Sequence, residues 1–379
     1  MPVYLDANAS EPPRPEALAA AGRALALTGN PASVHGPGRA ARALLESARE
    51  TLAGLLGARP GEVVFTSGAT EANALALHAL PAGRRVLVGA TEHDSVLAAA
   101  AGAPRLPVGQ DGVIDLDAAA AALAGGPAFV AVMAANNETG TIQPLAALAA
   151  LCRRHGAWLH VDAVQGLGRG PIPPGDSLAI SGHKLGGPPG AGALVLRGAI
   201  GAPRPLLAGG GQERGWRAGT PPLAAIAGLA AAAAAAFAAG DAEAARLGLL
   251  RDRIAAAAAA AGAVVLAAGA PRLTNTACLA LPGVRADAQV IALDLAGIAV
   301  SAGAACSSGK VAPSHVLAAM GQGALAGQAI RVSLPWNATA AEAEAFIAAY
   351  PAIAARLAAA LRGPAACSTP APAPHPAAA

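Results

Sequence analysis

The 379-residue sequence is poor in aromatic residues, in charged residues and in cysteine. Aromatic residues make up 2% of the chain and charged residues 13%, and the formal net charge of +3 is not gathered into basic runs. Nucleic-acid-binding domains typically cluster Lys and Arg on one face, so this composition argues against nucleic acid as a partner. The four cysteines form no C-x-x-C pair, which suits a reducing cytosol better than a disulfide framework. We therefore predict a cytoplasmic protein that does not bind nucleic acid.

Signals for export or membrane insertion are weak. The first residues lack the basic start and the apolar core of a signal peptide. One uncharged run, Leu223 to Gly240, is long enough for a membrane helix. It is nearly all alanine, which forms helices well but inserts weakly into membranes, and no Trp or Tyr anchors its ends. The run therefore predicts a packed helix of a soluble protein, with no membrane partner.

Apolar segments in the first half of the chain alternate between strand and helix patterns. In order they are strand Val63–Phe65, a helix from about Glu71, strand Val86–Val88, a helix from Ser95, strand Phe129–Met133, helix Leu145–His155 and strand Trp158–Val161. This alternation predicts an α/β fold with a largely parallel sheet covered by helices. Such sheets bind ligands at the carboxyl ends of their strands.

The remaining sequence predicts a second, smaller domain, as the chain length also suggests. A long helix, Asp241 to Ala261, leads into a region of mixed α and β patterns. We predict a large cofactor-binding domain over residues 12–245 and a smaller α+β domain formed by residues 1–11 and 246–362. The Ala- and Pro-rich residues 363–379 are predicted to be a disordered tail.

Lys184 follows a predicted apolar strand and opens a loop of glycines and prolines. A lysine between buried strands either pairs with an anion or has a lowered pKa and reacts as an amine. A lysine that simply reaches water is the alternative. Arg331, in a later strand pattern, has the planar fork that binds a carboxylate, or it forms a structural ion pair.

Two further strand ends carry polar groups that suit the same site. The turn Ser67 to Glu71 opens a helix whose free N–H groups attract a phosphate, unless Ser67 or Thr70 caps that helix. Asp162 ends a buried strand, where an aspartate caps a helix, pairs with a cation, or keeps a pyridine nitrogen protonated. Gln165 is placed to bond a ring oxygen, and His93 is either a structural histidine or stacks on a planar ring. With Lys184, these groups describe a pyridoxal 5′-phosphate site.

Cys306 is a second candidate for reactivity. It lies in the run Ser301 to Lys310, whose glycines, alanines and serines predict exposure, and the charge of Lys310 favours a thiolate. An incidental thiol is the alternative. The other cysteines are predicted to be core residues in helix and strand patterns, or incidental in the tail: Cys152, Cys278 and Cys367, respectively.

Several motifs occur in one order along residues 3 to 335. They are Val3-Tyr4-Leu5-Asp6, Gly29-Asn30-Pro31, Phe65-Thr66-Ser67-Gly68-Ala69-Thr70-Glu71, Thr91-Glu92-His93, Asn136-Asn137-Glu138-Thr139-Gly140, His160-Val161-Asp162, Ser181-Gly182-His183-Lys184, Arg217-Ala218-Gly219-Thr220 and Ser301-Ala302-Gly303-Ala304-Ala305-Cys306. Their set and order resemble the cysteine desulfurases, pyridoxal-phosphate enzymes of the class V aminotransferase superfamily. The resemblance implies the aspartate aminotransferase-like fold (fold type I) and a homodimer.

The resemblance also implies roles for residues of this sequence. Lys184 would hold the cofactor as a Schiff base, with His93 stacked on its ring. Asp162 would pair with the pyridinium nitrogen and Gln165 with the phenolic oxygen. The remaining implied contacts are Ala69, Thr70, Ser181 and His183 on the phosphate, Thr220 on the phosphate from the other subunit, Asn137 beside the ring, and Asn8 and Arg331 on the substrate carboxylate.

The implied reaction takes sulfur from L-cysteine. Lys184 would move the α-proton, Cys306 would accept the sulfur as a persulfide, and L-alanine would leave. The sulfur would pass to an acceptor protein, either an iron–sulfur scaffold or a sulfur relay. Two alternatives stay open: a related pyridoxal enzyme, such as a selenocysteine lyase or class V aminotransferase, and an inactive protein that serves as a scaffold.

Two stretches depart from the family pattern. Asn8-Ala9-Ser10-Glu11 stands where Asn-Ala-Thr-Thr is usual, and Leu334-Pro335-Trp336 stands where a Leu-Gly pair is usual. Both are expected near the substrate-side edge of the site, where they would affect turnover rate or substrate preference.

Overall fold

The computed structural model describes residues 2–81, 83–198, 204–303 and 312–361. The strands are β1 (Val3–Tyr4), β2 (Val63–Thr66), β3 (Arg85–Gly89), β4 (Arg105–Leu106), β5 (Ala128–Met133), β6 (Trp158–Asp162), β7 (Ser177–Ser181), β8 (Gly192–Leu196), β9 (Val264–Leu266), β10 (Thr276–Ala280), β11 (Ile298–Ala299), β12 (Ser301–Ala302) and β13 (Ala329–Ser333). The helices are α1 (Pro15–Leu25), α2 (Gly36–Leu56), α3 (Ala69–Ala79), α4 (Asp94–Ala99), α5 (Leu116–Leu123), α6 (Leu145–Arg154), α7 (Leu223–Ala260), α8 (Ala286–Leu295), α9 (His315–Ala319) and α10 (Ala340–Leu361).

The larger sheet has the strand order β2-β8-β7-β6-β5-β3-β4. Strands β3 to β7 run parallel, and β8 runs antiparallel to both of its neighbours. Along β5, Val130 and Val132 pack into one apolar core and Phe129 and Ala131 into another, so both faces of the sheet are covered. The predicted α/β fold with a largely parallel sheet is confirmed.

A smaller antiparallel sheet, in the order β12-β13-β10-β9, carries a further core. β1 pairs in parallel with β11, and Leu5 packs into this core although it lies near the N-terminus. The backbone bridge between Asp6 and Ser333 continues that connection. The N-terminal segment is therefore held beside residues from the last quarter of the chain. The domain boundaries themselves stay a prediction.

α7 joins the two regions. The sequence predicts separate helical patterns before and after Gly240, and the structure joins them as one helix kinked at that residue, whose φ is 26°. Glycine tolerates this conformation because it has no Cβ. Ile226 and Leu229 pack under the larger sheet, whereas Leu247 and Ile254 pack in the core of the smaller one.

Among the described residues, α7 and α10 are long and apolar enough to cross a membrane by length and composition alone. A core helix meets the same criterion. α7 packs along α1, α2 and α10. The predicted packing of the alanine-rich run is therefore confirmed.

Candidate active site

A cavity of about 350 Å³ lies at the carboxyl ends of β3, β5, β6 and β7. Ten residues predicted for the site line it: Asn8, Ala69, Thr70, His93, Asn137, Asp162, Gln165, Ser181, His183 and Lys184. They come from six separate stretches of sequence: the N-terminal segment that carries Asn8, and five stretches that the larger sheet brings to one edge. The structure thus places them around one space, and the role of each stays a prediction.

Lys184 lies in a short 3₁₀ turn that starts at Gly182 and continues β7. Its Nζ donates to the backbone oxygens of Asn8, at 2.5 Å, and Ala9, at 2.9 Å. The turn is tightly packed, since a Cβ on Gly187 would lie 3.0 Å from the backbone oxygen of Gly182. The amine therefore projects from a rigid turn and touches the N-terminal segment.

Asp162 ends β6 and is buried at the cavity wall. Its Oδ1 accepts the backbone N–H of Val164 at 3.0 Å, and its Oδ2 accepts the side-chain amide of Asn73 at 2.7 Å. Burial raises the pKa of Asp162, while these hydrogen bonds and the charges of His93 and Lys184 lower it. A buried carboxylate supplied with donors in this way suits a partner that carries a proton on a ring nitrogen.

His93 caps the first turn of α4 and faces the same cavity. The backbone N–H of Ser95 donates to Nδ1 at 3.1 Å, and the Ser95 hydroxyl lies 2.9 Å from the same nitrogen. These contacts fix the ring at the cavity wall. The capping role accounts for a histidine at this position without excluding a second role in binding a planar ring.

The turn before α3 forms another end of the cavity. Gly68 is the N-cap of α3, and within the described ranges no side chain caps this helix, so capping by Ser67 or Thr70 is wrong. A Cβ on Gly192 would lie 2.6 Å from the Cα of Gly68, which shows how closely β8 approaches this turn. The first N–H groups of α3 are therefore available to an anion in the cavity.

Ser181 and His183 complete this part of the lining. Burial, together with the charge of Lys184, lowers the pKa of His183 to about 4. His183 is therefore neutral at physiological pH and still has a ring N–H to donate.

Thr220 does not line the cavity and is exposed. Three residues earlier, Arg217 forms an ion pair with Glu71 in the first turn of α3, with 2.9 Å between Nε and Oε1. The loop that carries Thr220 is thus attached to the first turn of α3, at one end of the cavity. Its exposure is compatible with the predicted contact across a dimer.

Arg331 also lies outside the cavity lining, but it contacts a residue that belongs to it. The buried guanidinium donates to Asp6 Oδ1 at 2.7 Å and to the backbone oxygen of Asn137 at 3.2 Å. Its Nε is buried without a hydrogen-bond partner in the described part of the chain. The structural ion pair and the carboxylate-binding role considered for Arg331 are therefore compatible with each other.

The cysteines fall into two groups. Cys152 and Cys278 are buried, as the sequence predicts, and burial raises the pKa of both thiols, to about 11 for Cys152. Thiols of this kind are poor nucleophiles at neutral pH. Cys306, Lys310 and Cys367 lie outside the described residues.

The two departures from the family pattern contact each other. Glu11 accepts the backbone N–H of Trp336 at 3.1 Å, and the indole of Trp336 donates to the backbone oxygen of Pro12 at 2.8 Å. Glu11 also accepts from Arg169 at 2.8 Å, and Arg169 donates to Gln165 Oε1 at 2.6 Å. The sequence did not reveal this link, because its members lie far apart in the chain. Glu11 and Arg169 thereby fix the orientation of the Gln165 side-chain amide, whose Nε2 donates to the backbone oxygen of Asn8.

Glu138 is a buried acid beside Gly303 and Ser314. Its Oε2 accepts the Ser314 hydroxyl at 2.6 Å, and a Cβ on Gly303 would lie 3.0 Å from the same oxygen. Burial raises the pKa of Glu138 to about 7, although the Ser314 hydrogen bond and the charge of Arg331 oppose the rise. The sequence did not predict that Glu138 has a raised pKa, because the motif Asn136 to Gly140 contains no apolar pattern that would indicate burial.

Glu138→Gln is expected to alter how stability depends on pH. The pKa of Glu138 is raised on folding, so the wild type loses stability as pH rises from about 4.5 to about 7, where the folded-state carboxyl ionises. The variant should gain up to about 3 kcal/mol relative to wild type over that window. Urea unfolding at pH 5 and pH 8 measures the difference, and Glu50→Gln on the exposed side of α2 is the control. Parallel pH profiles for Glu138→Gln and wild type would contradict the expectation.

The groups around the cavity suit pyridoxal 5′-phosphate. One end offers the uncapped N–H groups of α3 to a phosphate, the wall offers the buried carboxylate of Asp162 to a ring nitrogen, and Lys184 offers an amine to the aldehyde. The volume lies within the range of small-molecule sites. Among the described residues, no group of three or more His, Cys, Asp or Glu side chains is arranged to hold a metal ion.

Comparisons with known proteins agree with this geometry. The family model for class-V aminotransferases matches residues 3–346. A cysteine desulfurase of Cereibacter sphaeroides is 43% identical over 93% of this chain and 95% of its own length. The crystal structure of a NifS-like protein from Rickettsia africae has 32% identity and a TM-score of 0.85, covering 93% of this chain and 99% of that one. A structure of SspA in complex with cysteine has 30% identity and a TM-score of 0.77, covering 88% of this chain and 98% of that one.

Proposed function

This chain belongs to the class-V aminotransferase family, and on that premise we propose that it is a pyridoxal-phosphate-dependent cysteine desulfurase of the cytoplasm. The observation that carries the proposal is the single cavity in which Lys184, Asp162 and the uncapped start of α3 meet. When bound, the cofactor supplies an electron-withdrawing ring that stabilises negative charge on the substrate carbon next to the carboxylate. The residues of the chain then bind the substrate, move its protons and accept its sulfur.

Lys184 is the proton carrier. Its amine lies at the cavity, held against the backbone oxygens of Asn8 and Ala9, so it can take a proton from the α-carbon of L-cysteine and return one. Asp162 would keep the ring nitrogen protonated, since its buried carboxylate lies at the cavity wall and attracts a proton-bearing nitrogen. His93 and Asn137, which follow β3 and β5 and line the cavity, would hold the ring.

Cys306 accepts the sulfur. Its thiolate forms a bond to the sulfur of L-cysteine, and the carbon–sulfur bond of the substrate breaks with its electron pair staying on carbon. That carbon takes a proton, so the products are L-alanine and the Cys306 persulfide, and no external oxidant is needed. The buried thiols of Cys152 and Cys278 cannot perform this step because they are kept protonated and away from solvent.

Arg331 and Asn8 bind the substrate carboxylate. The Nε of Arg331 is buried without a partner in the described residues, and its other nitrogens hold Asp6 and Asn137. Asn8 donates through Nδ2 to the backbone oxygen of Asn137 and to Thr276, so Asn8 and Arg331 both contact the backbone of Asn137 at the cavity wall. A carboxylate at this wall would meet a cation in a dry environment, where charge-assisted hydrogen bonds are strong.

Arg331→Lys is expected to raise the KM for L-cysteine by about 10- to 100-fold, with a smaller change in kcat. Lysine keeps the charge but loses the planar fork that binds a carboxylate with two hydrogen bonds. Steady-state kinetics at constant pH measure the effect. Asp6→Asn is the matched control, since it breaks the same ion pair without removing the guanidinium. Equal KM values for wild type and Arg331→Lys would limit Arg331 to a structural role.

Thr220 and the exposed loop around it support a homodimer in which each subunit completes the phosphate site of the other. The ion pair between Arg217 and Glu71 fixes this loop near the start of α3, yet Thr220 is exposed and does not line the cavity of its own subunit. The persulfide would be passed to an acceptor protein, either an iron–sulfur scaffold or a sulfur relay. Its exchangeable outer sulfur atom suits transfer to a second thiolate.

The proposal is tested by the products of the wild-type enzyme. Purified protein loaded with pyridoxal 5′-phosphate should release equal amounts of L-alanine and sulfide from L-cysteine in the presence of a thiol reductant. Without the reductant, one sulfur atom should remain on the peptide that contains Cys306, as measured by mass spectrometry. Alanine release from L-selenocysteine but not from L-cysteine would instead assign a selenocysteine lyase.

A further inference from the structure

Asn73 and His160 lie behind the cavity wall, and the mechanism above gives them no role. Both are buried in α3 and β6 respectively, with no measurable exposure. Asn73 Nδ2 lies 2.7 Å from Asp162 Oδ2 and 3.0 Å from the Ser95 hydroxyl, and its Oδ1 lies 3.0 Å from His160 Nε2. One amide therefore contacts three residues at once.

The direction of these hydrogen bonds follows from elementary chemistry. A flipped Asn73 amide would set its carbonyl oxygen against the Asp162 carboxylate, and two acceptors at 2.7 Å repel. The amide nitrogen therefore faces Asp162 and the amide oxygen faces His160. Because that oxygen only accepts, Nε2 of His160 must carry the proton.

The remaining bonds support this arrangement. With its proton on Nε2, a neutral His160 has a lone pair on Nδ1, which accepts the Ser177 hydroxyl at 2.8 Å. Burial lowers the pKa of His160 to about 3, so the ring stays neutral throughout the physiological range. At the other end, the second amide proton of Asn73 goes to Ser95, whose hydroxyl is then free to donate to His93 Nδ1.

We propose that Asn73, oriented by His160, is a positioning residue for the cofactor: one amide proton holds Asp162 and the other holds His93 through Ser95. The inference rests on the proposed function, since Asp162 and His93 are the groups expected to meet the ring. Asn73 thereby sets two contacts at once, one at the ring nitrogen and one at the ring face. Asp162 sets the orientation of the amide, and His160 stabilises that orientation because its Nε2–H donates to the amide oxygen.

The test is the affinity of the apoprotein for pyridoxal 5′-phosphate together with the visible spectrum of the bound cofactor. Asn73→Asp keeps the shape but sets an acceptor against Asp162, and we expect it to weaken binding at least about 10-fold and to shift the visible band. His160→Leu should weaken binding less, since it only frees the amide to rotate. Tyr350→Phe, which removes a buried hydrogen bond to Gln289 in the other core, is the control and should bind as wild type.

Failure of the positioning role can be told apart from failure of the proposed function. A wild type that binds no pyridoxal 5′-phosphate or yields no alanine from L-cysteine contradicts the function itself. A wild type that does both, with a folded Asn73→Asp variant of unchanged affinity and spectrum, overturns the positioning role. Should the variants not fold, nitrogen-15 NMR of histidine in the wild type decides: a neutral His160 with its proton on Nε2 is expected, and a proton on Nδ1 or a charged ring overturns the inference.

Discussion

Replacing Lys184 with alanine is expected to lower the turnover of L-cysteine by at least about 10³-fold. In the proposed mechanism the amine is both the attachment point for the cofactor and the group that moves the α-proton, and the described part of the chain has no other lysine to replace it. Single-turnover measurements of L-alanine release, with the cofactor supplied in excess, give the rate of chemistry separately from cofactor loss. Activity within about 10-fold of wild type would exclude Lys184 as the proton carrier.

The composition of the chain makes the attachment point easy to locate. Lys184 and Lys310 are the only lysines in the sequence. Borohydride reduction of the yellow holoenzyme should therefore fix the cofactor to one of two peptides, and we expect the Lys184 peptide. Lys310→Arg keeps the positive charge four residues after Cys306 and is the matched control. Labelling should persist in it and disappear in Lys184→Ala.

Cys306→Ser is expected to lower sulfide release by at least about 10²-fold while the visible spectrum still responds to L-cysteine. A serine hydroxyl is far less ionised than a thiol near neutral pH and is a poor nucleophile toward sulfur. Substrate binding and proton movement depend on other residues, so the spectral response should remain. Sulfide and L-alanine are measured in the same reaction.

Two other cysteines provide controls for that experiment. Cys367→Ser changes a thiol in the predicted tail and should leave activity unchanged. Cys278→Ser changes a thiol in β10 that is buried among apolar residues, and any loss there should appear in thermal stability as well. Full activity in Cys306→Ser would reject the persulfide step and favour a related pyridoxal enzyme, such as a selenocysteine lyase.

Much of the cavity was predictable from sequence because parallel sheets impose a simple rule. His93, Asp162 and Lys184 follow three different strands, and the carboxyl ends of parallel strands share one edge. Identifying the strands was enough to bring these residues together. The small-residue turn at Gly68 predicted the start of α3 in the same way, whereas the sequence left open whether Ser67 or Thr70 caps that helix.

Other features were not predictable, for physical reasons. Asn73 reads as an ordinary helix residue, and only the packing of α3 against β6 reveals that it contacts Asp162. α5 and β9 were missed because alanine-rich and very short segments show little hydrophobic periodicity. The contact of Glu11 with Trp336 depends on long-range packing that no local pattern encodes.

The N-terminal segment has a consequence for the order of assembly. Asn8 hydrogen-bonds to Ser333 and Asn137, and Glu11 hydrogen-bonds to Trp336 and Arg169. The cavity wall beside Lys184 therefore depends both on residues near the N-terminus and on residues near 336. On the ribosome the strands β2 to β8 can pair before the residues near 336 have been synthesised. The wall cannot close until then. During synthesis the larger sheet can therefore form early, whereas the cofactor site is completed late. The nascent chain would acquire its fold before it can bind a cofactor and react.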